Sequence, residues 1–201
     1  MESIESKILS RIRGHGRGAV FIPTDFLDLG SRRAIDLALH RLVKKGTLRR
    51  LARGLYDYPK THPKLGLLSP PVDDIAKALA GKHRLRLQPS GAYAANLLGL
   101  SEQVPAKVVF LTDGSTRKVR VRNQTIELRR TTPRAMAADG VTGLVIEGLR
   151  NLGRAHVTRN RVAHLRKLLS ATDRARLLKN LALAPAWMHP FIRFIASREA
   201  A

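Results

Sequence analysis

The apolar residues at the start of the chain recur at the three- to four-residue spacing of an amphipathic helix. This helix is predicted to begin after the capping residue Ser3 and to end at Gly14. Its buried face would consist of Ile4, Ile8, Leu9 and Ile12. The next segment, "AVFIP", is long enough for one short strand. Thr24 is then predicted to cap a short second helix, "DFLDL", which ends at Gly30.

A third helix is predicted to begin directly after Ser31 and to end at Gly46. Its apolar residues share one face, which would consist of Ile35, Ala38, Leu39, Leu42 and Val43. The opposite face is mostly basic and would consist of Arg32, Arg33, Asp36, His40 and Lys44. The pattern therefore predicts a helix with a buried apolar face and a charged outer face.

Two short extended segments, "TLRRL" and "LYDYP", follow this helix on either side of Ala52-Arg53-Gly54. Glycine readily takes the positive φ that a tight turn needs, so we predict two strands joined at Gly54. With the elements before them, these strands complete a winged helix-turn-helix at residues 1–60. In this arrangement the third helix enters the DNA major groove, and the wing contacts the flanking backbone or the minor groove.

The rest of the chain is predicted to form a linker and a second domain. Residues 61–71 are rich in proline and lack periodicity, which indicates a linker. Residues 72–201 would begin with a helix, a strand and a helix capped by Ser90. A three-stranded antiparallel meander, "KVVFLT", "KVRVRN" and "TIELRR", is predicted next, with turns at 113–116 and 123–124.

Four helical segments are predicted after residue 141. Thr172 would cap the third of them, and Pro190 either breaks the last segment or lies in the first turn of a separate helix. The predicted fold class is therefore α+β: an N-terminal winged helix-turn-helix followed by an α+β C-terminal domain with a small antiparallel sheet and several helices.

Charge is the strongest feature of the composition. The chain has 37 Lys and Arg residues against 15 Asp and Glu residues, a net charge of +22 that is spread along its length. Such an excess predicts a polyanionic partner, and we expect double-stranded DNA. The chain lacks cysteine, the apolar core of a secretory leader and any run of about 20 apolar residues. We therefore expect a cytoplasmic protein that does not contact a membrane.

The DNA contacts are expected on the outer face of the third helix and on the wing. The predicted contact residues are Ser31, Arg32, Arg33, Asp36, His40, Lys44, Arg49, Arg50 and Arg53. We expect no cofactor and no metal, because the seven histidines do not recur at the spacing of metal ligands.

One pair of carboxylates offers an enzymatic alternative. Asp113 and Glu127, with Arg129 two residues further on, are arranged like the D…E-x-K residues of metal-dependent nucleases. Arg129 occupies the lysine position and stays protonated, so it cannot act as a base. We favour a turn aspartate and a surface glutamate paired with arginines, and we expect no catalytic residue and no enzyme.

Three segments carry a resemblance to a known family. "LVKKGTLRRLARGLYDYP", "PSGAYAANLLGLSEQVPAKVVFLTDG" and "APAWM" resemble the AbiEi family of antitoxins, and the likeness is most specific at residues 90–114. The resemblance implies a bacterial type IV toxin–antitoxin system associated with phage defence. It also implies a functional partner, a nucleotidyltransferase toxin that need not be contacted directly. The N-terminal domain would repress its own operon by binding promoter repeats, and the C-terminal domain would be associated with antitoxicity.

Charge alone leaves a second interpretation open. A winged helix can bind proteins, and the basic second domain could bind RNA, including a tRNA that the toxin modifies. RNA and DNA present the same phosphates, so the charge does not separate them. Aromatic residues make up only 4% of the chain, which argues against a protein that stacks single-stranded bases.

Overall fold

The computed structural model describes residues 2–81, 85–138 and 140–197. Helices and small antiparallel sheets form most of it, so the fold class is α+β, as the sequence predicts. The chain divides into two compact units. The first extends to residue 85 and includes residues 117–126, and the second consists of residues 86–116 and the chain after residue 126. The predicted domains, 1–60 and 72–201, have different limits and stay a prediction.

The first unit begins with the elements of a winged helix-turn-helix in the predicted order. These elements are α1 (Ile4–His15), β1 (Val20–Phe21), a 3-10 helix (Pro23–Phe26), α2 (Arg32–Lys44), β2 (Arg49–Ala52) and β3 (Leu55–Asp57). The strands form an antiparallel sheet in the order β1-β3-β2. The β2–β3 hairpin is the wing.

Serine side chains cap α1 and α2 at their predicted first turns. Ser3 Oγ accepts a hydrogen bond from the backbone N–H of Ser6, and Ser31 Oγ accepts one from that of Ala34. These bonds satisfy amide groups that have no partner within the helix. α1 continues past the predicted end at Gly14 and is closed by Gly16, whose φ is 83°.

The predicted second helix is wrong in its cap and its length. A four-residue 3-10 helix begins at Pro23, before Thr24, and the Asp25 carboxylate accepts a hydrogen bond of 2.8 Å from the backbone N–H of Ile22. Proline suits the first helical position because it has no N–H that requires an acceptor. The helix-turn-helix therefore uses one short turn where the sequence predicts a helix.

One apolar core holds α1, α2 and the wing together. It is formed by Ile8, Ile12, Phe21, Phe26, Ile35, Ala38, Leu39, Leu42, Leu48 and Tyr56. The apolar face predicted for the third helix is thus buried, with Val43 at its half-buried edge. Because α2 buries this face against its neighbours, its charged face stays exposed to solvent.

The predicted linker contains a hairpin. Residues 61–71 include the paired strands β4 (Thr61–His62) and β5 (Gly66–Leu67). His62 Nδ1 accepts hydrogen bonds from the backbone N–H groups of Lys64 and Leu65, which closes the turn. The proline-rich composition of this segment gives no indication of the β4–β5 hairpin. α3 (Val72–Ala80) follows, and it belongs to the first compact unit.

The second half of the chain contains a four-stranded sheet and α4 (Gly91–Leu97). Its strands are β6 (Leu87–Ser90), β7 (Lys107–Thr112), β8 (Arg117–Val121) and β9 (Gln124–Arg130). Their order is β6-β7-β9-β8, so the predicted meander is wrong. β9 buries Ile126 and Leu128 and takes a central position, whereas β8 buries only Val121 and takes the edge.

Five further α-helices belong to the second unit among the described residues. They are α5 (Pro133–Ala137), α6 (Gly140–Leu152), α7 (Arg159–Leu168), α8 (Ala171–Lys179) and α9 (His189–Ala196). The predicted cap Thr172 is wrong, because Ser170 caps α8 by accepting from the Asp173 N–H at 3.1 Å. Pro190 lies in the first turn of α9. No helix in the described ranges is both long and apolar enough to cross a membrane.

Candidate nucleic-acid interface

The outer face of α2 is an exposed basic surface of the first unit. We define it by its exposed residues: Arg32, Arg33, Asp36, Leu37, His40, Arg41 and Lys44. From Arg33 to Lys44 it extends for about 16 Å at 1.5 Å per residue. A helix of this length and charge fits the major groove of B-DNA, which is about 12 Å wide.

The two arginines at the start of α2 differ in their surroundings. Arg32 Nε donates to both carboxylate oxygens of Asp36, at 3.1 and 3.0 Å, and both side chains are about half exposed. Arg33 is exposed and makes no side-chain hydrogen bond or ion pair with another described residue. Arg33 therefore keeps all its donors available, whereas Arg32 must exchange a surface ion pair for any contact with DNA.

Sequence reasoning missed two residues of this face. Leu37 lies among charged neighbours with 51% of its surface exposed, and Arg41 is exposed one turn further along. Leu37 is visible in the sequence as an apolar residue outside the buried spacing of Ile35, Ala38 and Leu39. An exposed leucine between arginines offers an apolar contact to a base edge.

Arg49, one of the predicted DNA contacts, is paired within the first unit. Its Nε donates to Asp57 Oδ1 at 3.0 Å, and its Nη2 donates to Asp57 Oδ2 and to the carbonyl oxygen of Leu68. Asp57 is only 1% exposed, and the Arg49 side chain is 19% exposed. This guanidinium is the counterion of a buried carboxylate, so it is less available to DNA than the exposed arginines of the wing, and its predicted DNA contact stays a prediction.

Simple hairpin register does not predict this pair. A regular hairpin that turns at residues 53 and 54 would place Arg50 opposite Asp57, but the register shift between Arg50 and Ala52 places Arg49 there instead. A buried aspartate and a facing arginine are the expected partners in such a position. The basic cluster of the wing therefore combines one structural arginine with two exposed ones.

Arg50 and Arg53 are exposed on the wing, as a contact with DNA requires. Neither side chain makes a hydrogen bond or ion pair with another described residue. Gly54 has a φ of 70°, so the turn takes the left-handed conformation that the sequence predicts there. The strands shift register between Arg50 and Ala52, which twists the hairpin just before Arg53.

The two tyrosines after the wing turn have different environments. Tyr56 is 9% exposed and packs in the core of the first unit. Tyr58 is half-buried, and the guanidinium of Arg17 lies over its ring, 4.8 Å from the ring centroid. Arg17 also donates to the carbonyl oxygen of Pro59 at 3.0 Å. Tyr58 therefore supports a further cation beside the wing.

The carboxylates of the nuclease alternative are paired with cations. Glu127 accepts from Lys107 Nζ at 2.8 Å and from Arg129 Nε at 2.9 Å, and these bonds lower its pKa to about 2. Hydrogen bonds from Arg86 lower the pKa of Asp113. In the part of the chain that the structure describes, no three His, Cys, Asp or Glu side chains converge as metal ligands would.

Ser90 lies at the cap position of α4, but its side chain does not cap the helix. Ser90 Oγ donates instead to Glu147 Oε2 at 2.5 Å, and Glu147 also accepts a hydrogen bond from Arg150. Glu147 is 8% exposed, so these two donors satisfy a nearly buried carboxylate. The segment with the most specific family resemblance is therefore joined to α6 by an internal polar contact.

Comparison with known proteins places the chain in a family without assigning an activity. No curated protein matches it closely. The sequence model of a family of unknown function, DUF6088, matches residues 7–177, which is most of the chain. The chain therefore belongs to the DUF6088 family.

Proposed function

We propose that this protein binds double-stranded DNA through its winged helix and recognises sequence with the outer face of α2. The observation that carries the proposal is the exposure of Arg33, Arg41 and Lys44 along one helix whose opposite face is buried. These cations have no acidic partner among the described residues. Phosphates supply the missing counterions, and release of condensed ions from DNA favours the complex.

The wing supports the same proposal. Arg50 and Arg53 lie on a hairpin whose base is braced by the Arg49–Asp57 pair and by the core residue Tyr56. A hairpin held in this way can present two cations to the DNA backbone or to the minor groove beside α2. The buried pair thus contributes to binding by positioning the exposed arginines.

The α2 geometry favours DNA over an RNA duplex. The major groove of A-form RNA is deep and narrow, so a helix carrying base contacts cannot enter it as it enters B-DNA. An RNA-binding role for the same family member stays a second hypothesis, because the remaining basic residues could contact the phosphates of either nucleic acid.

The biological role that we propose is that of an antitoxin and autorepressor. It rests on the AbiEi resemblance, which implies a type IV operon with a nucleotidyltransferase toxin. The protein would bind repeats in its own promoter, in the cytoplasm, and counteract the toxin without a requirement for direct contact. No enzymatic step is part of this proposal.

A binding selection from random DNA tests the proposal without knowledge of the operator. The full chain is incubated with a library of 25-base-pair duplexes, and the bound DNA is sequenced after several rounds. We expect a consensus sequence that the protein binds about 1,000-fold more tightly than random duplex. An equal mass of tRNA should not displace this consensus DNA from the protein. Failure to enrich a consensus, or equal competition by tRNA, would contradict the proposal.

A further inference from the structure

An apolar groove in the second unit lies between α7 and α9. Its cavity volume is about 530 Å³, within the range of sites that hold a ligand. The lining residues are Val157, Arg159, Val162, Pro190, Phe191 and Phe194. All but one of these residues are apolar, and no acidic side chain from the described ranges lines the groove.

The floor of the groove is fixed, whereas one wall is open. Val157 and Val162 are 8% and 3% exposed and belong to the core of the second unit. Phe194 is 48% exposed, although it lies on the same helix as the fully buried Ile192 and Ile195. A half-exposed aromatic ring beside an apolar cavity is the usual form of an anchor site for another apolar group.

Two arginines of α7 flank this apolar floor. Arg159 is exposed and lines the groove, and its side chain has no acidic partner among the described residues. The guanidinium of Arg166 lies over the Phe194 ring, 5.7 Å from the ring centroid. Because residues 159 and 166 are seven positions apart, they are separated by about two helical turns, or roughly 10 Å along the axis.

Arg166 also has unmet hydrogen-bonding capacity. Its Nε and Nη2 atoms are shielded from solvent and have no acceptor among the described residues. A shielded guanidinium donor without an acceptor costs free energy that a carboxylate would recover. Arg166 lies against Phe194, the half-exposed wall of the groove, so its unpaired donors are close to any group bound there.

We propose that this groove binds an acidic amphipathic helix of a partner protein. The apolar side chains of that helix fill the space between Val162 and Phe194, and two carboxylates about two turns apart pair with Arg159 and Arg166. Two carboxylates at the spacing of these arginines match both cations, which favours a helix with repeated acidic residues over a small ligand with one charged end. The proposal concerns the second unit and does not depend on DNA binding by α2.

The test uses the full-length protein and a designed probe peptide. The probe is a fluorescein-labelled helix of about 15 residues, rich in alanine and glutamine, with two glutamates seven positions apart and leucines three and four positions after the first. A scrambled peptide of the same composition places the glutamates on the face opposite to the leucines. Anisotropy titrations at 150 mM salt compare the two peptides.

We expect the probe to bind at least about tenfold more tightly than the scrambled peptide. Arg166→Gln and Phe194→Ala should each weaken probe binding about tenfold, as expected for an anchor residue. Arg176→Gln is the matched control: it removes the same charge from an exposed position on α8 and should change the affinity less than about twofold. Thermal unfolding of each variant establishes that the loss is not caused by misfolding.

Five outcomes would overturn the proposal. Four of them are the absence of probe binding, equal binding of the scrambled peptide, equal weakening by Arg176→Gln, and a larger effect of Arg166→Gln on duplex DNA than on the probe. A fifth is a dimer in sedimentation that Phe194→Ala converts to a monomer, because the groove would then hold a second copy of this chain.

Discussion

Arg49 and Asp57 face each other across the two strands of the wing and form a two-point ion pair around a buried carboxylate. Asp57 is 1% exposed, and Arg49 also donates to the carbonyl oxygen of Leu68 at 2.8 Å. The arginine thereby joins the wing to the segment that follows the β4–β5 hairpin. A residue predicted to bind DNA therefore also supports the wing.

Removal of either partner should destabilise the protein. Asp57→Ala leaves a guanidinium without its counterion, and Arg49→Ala leaves a buried carboxylate. We expect each change to lower the free energy of unfolding by about 3 kcal/mol. Urea unfolding measures the loss, and the double variant should be less damaging than the sum of the two. Strict additivity would contradict a coupled pair.

Arg33 is predicted to be the most important contact at the start of α2. Arg33→Ala should weaken binding to the selected DNA consensus by about 1–3 kcal/mol and leave stability unchanged, because the side chain is exposed and unpaired among the described residues. Anisotropy titrations with consensus and random duplexes measure the affinity for each and therefore the sequence preference. Equal losses on the two duplexes would reassign Arg33 to a phosphate contact.

Asp36 provides an informative comparison for the same helix. Asp36→Asn releases Arg32 from its surface ion pair and removes one negative charge from the outer face of α2, where we propose that DNA binds. We expect tighter binding to random duplex and a steeper salt dependence, while Arg32→Ala should have the opposite effect. If Asp36→Asn weakens binding to the consensus alone, Asp36 instead contacts a base.

Local features of the winged helix could be predicted from the sequence because they depend on neighbouring residues. Ser3 and Ser31 cap helices within three positions, and Gly54 allows a turn without any distant contact. The sheet order of the second half could not be obtained in this way. Strand β9 enters the centre because Ile126 and Leu128 are buried in the folded chain, and proximity along the sequence does not determine that choice.

The candidate site shows the same division. The exposed arginines of α2 follow from helical periodicity, whereas the role of Arg49 depends on cross-strand pairing and on a carbonyl 19 residues away. The sequence places Ser90 at the correct cap position, but its hydroxyl bonds to Glu147, 57 residues further along. Sequence spacing does not reveal the partners of such polar side chains, because the partners are distant along the chain.

The wing can be tested through the salt dependence of binding. Each arginine that contacts a phosphate should lower the slope of log affinity against log salt by about one unit when it is removed. We expect this change for Arg50→Ala and for Arg53→Ala. Gly54→Val keeps both charges but places a β-branched residue at positive φ, so it should weaken binding by displacing the wing. An unchanged slope in the Arg50/Arg53 double variant would remove the wing from the interface.

Glu127 should make stability depend on acidity in a defined pH window. The folded pKa of Glu127 is about 2, below its ordinary value of 4.5. The ionised carboxylate therefore adds its full contribution to the free energy of unfolding above pH 4.5, and this contribution is lost as the pH falls towards 2. Glu127→Gln should therefore be less stable than the parent chain at pH 7, by about 1 kcal/mol given its half-exposed partners.

Urea unfolding between pH 7 and pH 2.5 measures this difference, which should shrink as the acid limit is approached. Glu102→Gln is the control, because Glu102 is exposed and forms no ion pair with another described residue. A difference between Glu127→Gln and the parent chain that stays constant across the range would show that the two cations do not stabilise the carboxylate.

Leu37 gives the sharpest test of sequence reading by α2. It is 51% exposed at the middle of a basic face, where an apolar side chain can contact the C5-methyl group of thymine in the major groove. Leu37→Ala should reduce the preference for thymine at one position of the consensus by about 1 kcal/mol and leave the salt slope unchanged, because no charge is lost. Leu178→Ala, at an exposed position on α8, is the matched control.

Substitution of that thymine by uracil, which lacks the methyl group, should lower the DNA affinity of the parent chain but change the affinity of Leu37→Ala little. If the uracil substitution lowers the DNA affinity of both proteins equally, another residue contacts the methyl group, and Leu37 does not face the bases.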